Sequence, residues 1–277
     1  MIKPSKANLN IKSKKKLFLN SAGEHTSLFS GEGLDFKEIR QYTSGDDIRH
    51  INWKVTARKR DTNVNVFNED KQINIVLVYL NSGSIYFGSH KSKQETMIEV
   101  LSTLGFSAVK KNDLLSTLFF SSKEEKFYKP SKSFKVLDLN IQTALDLNTL
   151  GKSIDYNKLN HFLLSKIKQK SLIFIIGDFL ELPNFLALGK KHEVYCAVVR
   201  DKLEEELSLS GEFNFINTND GENKEIYLDE NSIKKYNSLM KQHDKNLFAM
   251  FKKANIKANK IYTNQNTHKQ LLKLVRG

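Results

Sequence analysis

The sequence is poor in the residues that mark secreted, zinc-binding and membrane-spanning chains. Its single cysteine excludes an intramolecular disulfide, and its histidines lack zinc-site spacing. The longest apolar runs, INIVLVYL and LIFIIGDFL, have the length of strands and not of a membrane span. The basic N-terminal segment is followed by too short an apolar piece for a signal peptide. We therefore expect a cytoplasmic protein without a transmembrane segment.

Breaks in the chain are also scarce, since only three prolines occur and no Gly/Ser linker or repeat divides the sequence. One domain with an N-terminal extension is the simplest organisation. We predict a basic flexible arm at 1–20, an extension at 21–70 and the main domain at 71–277.

The net charge of +13 is concentrated at the two ends of the chain. Residues 1–20 carry six Lys and no acid, and residues 245–277 carry eight Lys or Arg and no acid. Such ends could contact nucleic acid, a membrane surface or an acidic partner, and the alternative is an ordinary lysine-rich surface.

From residue 72 onward, short apolar runs alternate with segments of helical periodicity. The runs at 73–80, 114–120, 171–178 and 193–199 predict strands buried on both faces, and the stretches between several of them predict helices. This pattern predicts an α/β fold with a doubly wound, mostly parallel sheet. Ligands of such sheets bind beyond the carboxyl ends of the strands, here after Leu80 and after Ile176.

Polar side chains follow two of these strands. Ser82 and Ser84 come after the first strand and Asp178 after the later one, which resembles the metal-ion-dependent adhesion site of von Willebrand factor A-like domains. The pattern Asp-x-Ser-x-Ser would place its first aspartate at position 80, where this chain has Leu80. Ser153 is the nearest hydroxyl for the site's threonine loop.

One firm ligand, Asp178, and weak candidates in Ser82 and Ser84 argue against bound Mg²⁺ or Mn²⁺. We therefore expect no cofactor and a degenerate metal site. The alternative role for the two serines is capping of the following helix.

A second block of motifs precedes the main domain, in GEGLDFKEIRQYTSGDDIRHINWKVTAR at 31–58. It resembles the pattern of domain of unknown function family number 58, whose members are von Willebrand factor A-like proteins, with Asn52 where that family usually has aspartate. SIYFGS, GDF and DKLEEEL resemble further segments of the same family. The residues carrying the signature include Arg40, Tyr42, Asp46, Asp47, Arg49, Trp53 and Arg58.

The resemblance implies a von Willebrand factor A-like fold and a non-enzymatic, protein-binding scaffold. Family members are commonly encoded beside MoxR-type AAA+ ATPases, so it also implies that such an ATPase or its client docks here, with Ser82, Ser84 and Asp178 as candidate contacts.

The signature stretch itself allows two further readings. Asp46 and Asp47, with other acids nearby, could assemble a metal-dependent nuclease site. Alternatively, bidentate Arg–Asp bonds pin an irregular segment against the sheet, with the ring of Trp53 packed beneath it. We expect the structural role. Nucleic-acid binding through the basic termini is the remaining alternative.

Overall fold

The computed structural model describes residues 36–59, 61–67, 72–216 and 223–276. Its contacts divide the chain into two compact units, a smaller one at Phe29–Gln72 and a larger one that contains Ile73–Gly277. We call the smaller one the signature unit and the larger one the α/β domain.

The signature unit is built on a two-stranded antiparallel sheet of β1 (Phe36–Gln41) and β2 (Asn63–Phe67). A 3-10 turn at Ile48–His50 and the short helix α1 (Trp53–Lys59) lie between the strands in sequence. None of the residues of α1 is buried.

The α/β domain is organised around a six-stranded sheet and carries a separate two-stranded hairpin. The strands are β3 (Asn74–Leu80), β4 (Leu114–Phe120), β5 (Glu124–Ser131), β6 (Leu172–Gly177), β7 (Glu193–Arg200), the hairpin β8 (Gly211–Ile216) and β9 (Asn223–Leu228), and β10 (Lys257–Tyr262). In the large sheet the order is β10-β7-β6-β3-β4-β5, with only β5 antiparallel to its neighbour.

Helices cover both faces of this sheet. They are α2 (Lys93–Lys110), α3 (Phe134–Asp146), α4 (Tyr156–Lys166), α5 (Leu186–Lys191), α6 (Lys202–Glu205), α7 (Glu230–Lys253) and α8 (Thr267–Arg276). Leu159 of α4, Leu188 of α5 and Leu247 of α7 share one buried cluster with Val76 and Val78 of β3. The helix α2 contacts β3, α3 and α8 and covers the other face.

The strand order confirms the predicted doubly wound, mostly parallel α/β fold. Buried runs on β3, β6 and β7 are apolar on both faces because each of these strands lies between two neighbours and two helical layers. Helix α3 is absent from our sequence prediction, and β9 pairs with β8 in the hairpin and not with the large sheet.

Candidate functional site

The strand order reverses between β3 and β6. From β3 the chain proceeds outward through β4 to β5, then returns to β6 and proceeds the other way through β7 to β10. A crevice forms at such a switch point because the two connections leave in opposite directions. The segments that follow β3 and β6 flank this crevice.

The structure brings Ser82, Ser84 and Asp178 together at the switch point, as the sequence predicts. The Ser84 hydroxyl donates to Asp178 Oδ2 at 2.5 Å, the Ser82 hydroxyl lies 3.5 Å from Asp178 Oδ1, and the two hydroxyl oxygens are 2.9 Å apart. Ser82 precedes the 3-10 turn Gly83–Tyr86, but its side chain makes no capping bond there. The proposed capping role is therefore wrong for Ser82, since its hydroxyl faces the aspartate instead.

A small cleft of about 110 Å³ opens over these groups. Ser153, the hydroxyl proposed for the third loop, lies in its lining, as does Glu181 on the segment after β6. The aromatic ring of Tyr156 also lines the cleft and stacks on Phe179 at 6.1 Å. Three separate chain segments therefore supply oxygen atoms to one concave surface.

Behind the cleft, Asp178 is paired with a lysine that the sequence analysis did not select. The Lys93 ammonium lies 3.0 Å from Asp178 Oδ2 and 2.6 Å from Glu204 Oε1, and the lysine side chain is 0% exposed. Lysine is rarely buried so completely unless it is paired. We call Lys93, Asp178 and Glu204 the buried triad.

Local structure explains where Lys93 begins its helix but not why a lysine stands there. Ser92 and Glu95 form a reciprocal capping box, which fixes Lys93 as the first residue of α2. A cation is disfavoured at a helix N-terminus by the helix dipole. The tertiary pairing with Asp178 and Glu204 must therefore outweigh the local preference.

A second buried cation supports the same turn from the opposite side. Arg200 donates from Nη1 to the Asp178 carbonyl and from Nη2 to Asp244 Oδ1 at 2.9 Å. The next residue, Phe179, has φ of +49°, a left-handed conformation that a bulky residue adopts only under constraint. Its carbonyl is bonded to the His243 ring at 2.9 Å. These bonds hold the turn after β6 in its strained shape.

The electrostatics of the triad follow from burial and pairing. Burial opposes the charge on Asp178, but the Lys93 ammonium and the Ser84 hydroxyl outweigh it and keep the pKa of Asp178 below its usual value. Burial likewise opposes the charge on Lys93, while the two carboxylates raise its pKa. For Glu204 burial dominates, so its pKa is raised. The site therefore holds a charged Lys93–Asp178 pair at neutral pH.

Leu80, which stands where the adhesion-site pattern has aspartate, packs against Gly177 of β6. A Cβ atom at Gly177 would lie 2.6 Å from Leu80 Cδ1 and 2.9 Å from Leu80 Cβ. The Leu80 side chain belongs to the buried cluster on the α4 and α7 face, together with Phe120. The missing aspartate is thus replaced by a core contact that requires glycine on the adjacent strand.

Asn81 does not take the place of the aspartate that the pattern expects at position 80, because no bulge shifts the end of β3. The β3–β4 register is regular as far as Leu80, and the Asn81 N–H donates to the Phe120 carbonyl at 2.8 Å. Strand alternation places Asn81 on the face opposite Leu80. Within the described residues, both polar atoms of its buried amide lack a hydrogen-bond partner.

The residues present do not fit the divalent cation that the fold resemblance implies. Leu80 offers no oxygen, and Asp178 Oδ2 already accepts from Ser84 and from Lys93. Hard divalent cations need about six or more oxygen ligands, including water, and a like charge at 3 Å from the main carboxylate repels them. The described residues contain no group of three or more His, Cys, Asp or Glu side chains arranged to hold a metal.

In the signature unit, the predicted Arg–Asp bonds are present. Arg40 forms two bonds with Asp46, at 2.8 and 2.6 Å, and so fastens the end of β1 to the following turn. Asp47 caps the 3-10 turn and binds the Arg49 side chain at 2.6 Å. The Arg40 side chain with the Thr43 N–H lowers the pKa of Asp46 to about 2, and Arg49 lowers the pKa of Asp47.

The prediction for Trp53 is wrong. Its ring is 69% exposed, and none of the residues of α1 is buried. The Arg–Asp bonds fasten the turn within the signature unit.

Asn52 fastens the start of α1 to β2. Its Oδ1 accepts from the Val55 N–H at 3.1 Å, and its Nδ2 donates to Asn65 Oδ1 at 2.8 Å. An aspartate could not make the second bond.

The nuclease hypothesis draws little support from this geometry. The carboxylates of Asp46 and Asp47 are each chelated by an arginine, and two further acids that it would use, Asp35 and Glu69, lie outside the described residues. Tyr42 is half-buried and its N–H donates to the Thr62 carbonyl, a backbone role. Arg58 lies exposed on α1.

Sequence reasoning missed Lys93, Glu204 and Arg200, which complete the ionic cluster. One signal was available, because Ser92 and Glu95 have capping-box spacing and mark Lys93 as the start of the helix after the serine loop. Glu204 lies inside DKLEEEL, a segment selected only as a family motif. Neither signal indicates that the two side chains meet.

The chain is therefore an α/β protein whose doubly wound sheet carries hydroxyl and carboxylate groups at its switch point. The chain belongs to the family described as protein of unknown function DUF58, whose model matches residues 38–246.

Relatives by sequence include uncharacterised proteins of Mycobacterium tuberculosis and Mycobacterium bovis. Each is 24% identical to this chain over 214 residues, covering 75% of this chain and 68% of the relative.

Among solved structures, the chain is similar to the conserved hypothetical protein BatB from Bacteroides thetaiotaomicron, with 12% identity, a TM-score of 0.38, and coverage of 65% of this chain and 99% of that one. An aerotolerance-related membrane protein from Bacteroides fragilis gives 11% identity, a TM-score of 0.37, and coverage of 66% and 98%. In the part of our chain that the structure describes, no helix is both long and apolar enough to cross a membrane.

Proposed function

We propose that the α/β domain is a non-catalytic docking module, and that a partner protein binds at the cleft between the segments following β3 and β6. The observation that carries this proposal is the convergence of Ser82, Ser84, Ser153 and Asp178 from three segments on one cleft at the switch point. Following the family resemblance, the partner is a MoxR-type AAA+ ATPase or its client.

The chemistry of the cleft supports binding over catalysis. Its lining includes no histidine or cysteine, and the Asp178 carboxylate is held in an ion pair that makes it a weak base. The hydroxyls of Ser82 and Ser84 therefore have no neighbouring group suited to activate them. They are suited to donate and accept hydrogen bonds with a docked surface.

The first experiment is affinity purification of the tagged protein from its native cells with ATP and nuclease present, followed by mass spectrometry. A co-purifying AAA+ ATPase would then be purified and its affinity measured against the variants Ser82→Ala and Ser84→Ala. Each variant should weaken binding about three- to tenfold, since each removes one or two hydrogen bonds.

Ser165→Ala is the matched control, because Ser165 is exposed on α4 and bonds only its own helix backbone, at the Phe162 carbonyl. Equal affinities for all three variants would place docking elsewhere on the domain. Recovery of nucleic acid without any ATPase, in a parallel sample lacking nuclease, would favour the basic termini instead.

Two lysines of the basic C-terminal segment make contacts within the domain. Lys260 pairs with Asp244 at 2.6 Å and with Glu205, and Lys257 lies 5.3 Å above the Tyr195 ring. These two lysines are therefore engaged within the domain. Residues 1–20, the other basic end, lie outside the described residues.

A further inference from the structure

The buried triad includes Asp178, the carboxylate that the family resemblance assigns to a cation site. Lys93 Nζ lies 3.0 Å from Asp178 Oδ2, and Asp178 in turn bonds the Ser84 hydroxyl. Lys93 is also bonded to Glu204, so two of its three N–H donors are used on carboxylates. The ammonium is thus an internal cation with ligands of the kind that a metal would take.

We infer that the ammonium of Lys93 permanently replaces a divalent cation at this site, so that the site is complete without metal. This goes beyond the absence of one ligand at Leu80. It assigns to Lys93 the role of neutralising Asp178 and orienting it toward the serine hydroxyls.

The charge of the site is consistent with this role. A divalent ion would have to displace or approach a fixed positive charge that is already within 3.0 Å of the main carboxylate. The ammonium carries one positive charge instead of two, and it contacts the carboxylates of both Asp178 and Glu204.

Packing around the site supports a settled replacement. Leu80 stands at the position where the adhesion-site pattern has an aspartate ligand, and its side chain is buried. Gly177 provides the space that Leu80 needs. A site that had lost only one ligand would leave an unpaired buried carboxylate at Asp178. Here that carboxylate has both an ammonium and a hydroxyl partner.

The direct test is titration of Mn²⁺ into the whole protein. Binding is measured by calorimetry and by the paramagnetic effect of Mn²⁺ on nearby nuclei. The wild-type protein should show no saturable binding that depends on Asp178. Lys93→Met should bind Mn²⁺ at least tenfold more tightly than the wild type, because Asp178 and Glu204 then lose the ammonium that both of them contact. Lys158→Met is the matched control, since Lys158 pairs with Asp155 on an exposed surface.

Saturable Mn²⁺ binding by the wild type that Asp178→Asn abolishes would overturn the inference. So would a folded Lys93→Met variant that gains no affinity, because the loss of metal binding would then be due to Leu80 alone.

If Lys93→Met does not fold, the wild type still provides a test. Nitrogen-15 spectra of the lysine ammonium groups, with Lys93→Arg for assignment, should show a charged, slowly exchanging group for Lys93 that Mg²⁺ leaves unchanged. A neutral amine, or a signal displaced by Mg²⁺, would contradict the inference.

The consequence for docking rests on the proposed function. A complex with the partner, measured without nucleotide so that the ATPase itself needs no Mg²⁺, should survive EDTA with unchanged affinity. A complex that then forms only with Mg²⁺, and loses this dependence in Asp178→Asn, would refute the inference while leaving docking intact. A failure to dock under both conditions would refute only the proposed function.

Discussion

The buried triad and the signature unit both join aspartates to basic side chains, but they do so in different surroundings. Lys93 is 0% exposed and its partners Asp178 and Glu204 are 4% and 11% exposed, whereas Arg40 and Arg49 in the signature unit are 40% and 83% exposed. Exposed pairs are screened by water and contribute little, while breaking a buried pair leaves an uncompensated charge. Similar contacts therefore have very different consequences, and burial decides which.

The largest effect is expected for Lys93→Met, which breaks the buried side of this comparison. The loss of the ammonium removes the cation that Asp178 and Glu204 both contact, which should cost about 3–5 kcal/mol of unfolding free energy at neutral pH. Denaturant unfolding of this variant and of Lys158→Met as a control measures the difference.

The same variant has a characteristic pH dependence. Without Lys93, burial should raise the folded-state pKa of Asp178 above its unfolded value, so the variant should gain stability relative to wild type as the pH falls and its carboxylates take up protons. A deficit that stays constant from neutral to acidic pH would show that Lys93 contributes by packing alone.

A smaller effect is expected from Gly177→Ala, which tests the packing beneath the triad. The added Cβ meets the Leu80 side chain and should cost about 1–3 kcal/mol. In a Leu80→Ala background the same change should cost less, since the clashing atoms are gone. Additive effects in this double-mutant cycle would refute the steric coupling of the two positions.

On the exposed side of the comparison, Asp46→Ala should reduce stability by less than Lys93→Met. The folded-state pKa of Asp46 is lowered to about 2, so its contribution is present above pH ~4 and is lost as the pH falls toward 2. Melting temperatures of wild type and variant should differ at pH 7 and converge in that acidic window. A well-folded variant with no difference at pH 7 would instead favour a surface function for Asp46.

The smallest effect is expected for Trp53→Ala. The ring is mostly exposed, so the free energy of unfolding should change by no more than about 0.5 kcal/mol. Fluorescence offers a second check, because this is the chain's single tryptophan and its emission should already be that of a solvated indole in the folded protein. A blue-shifted emission maximum would show that the ring is covered.

Much of the fold could be predicted because its signals are local. The runs that became β3, β4, β6 and β7 are mostly apolar, and this pattern is typical of strands covered on both faces. The positions of Ser82, Ser84 and Asp178 follow from the same pattern, since residues just after parallel strands lie at one edge of the sheet. The helix at Phe134–Asp146 was missed although Ser133 caps it and its apolar residues recur at helical spacing.

The sequence by itself determined the fold class, the family and the oxygen-bearing half of the site, because periodicity and motif spacing are properties of neighbouring residues. Only the tertiary structure decided the charge of that site. Lys93 and Glu204 are 111 positions apart and meet through the packing of α2 and α6 near the end of β6. It also decided that Trp53 faces solvent, because burial depends on what covers a side chain and not on the residues beside it in the chain.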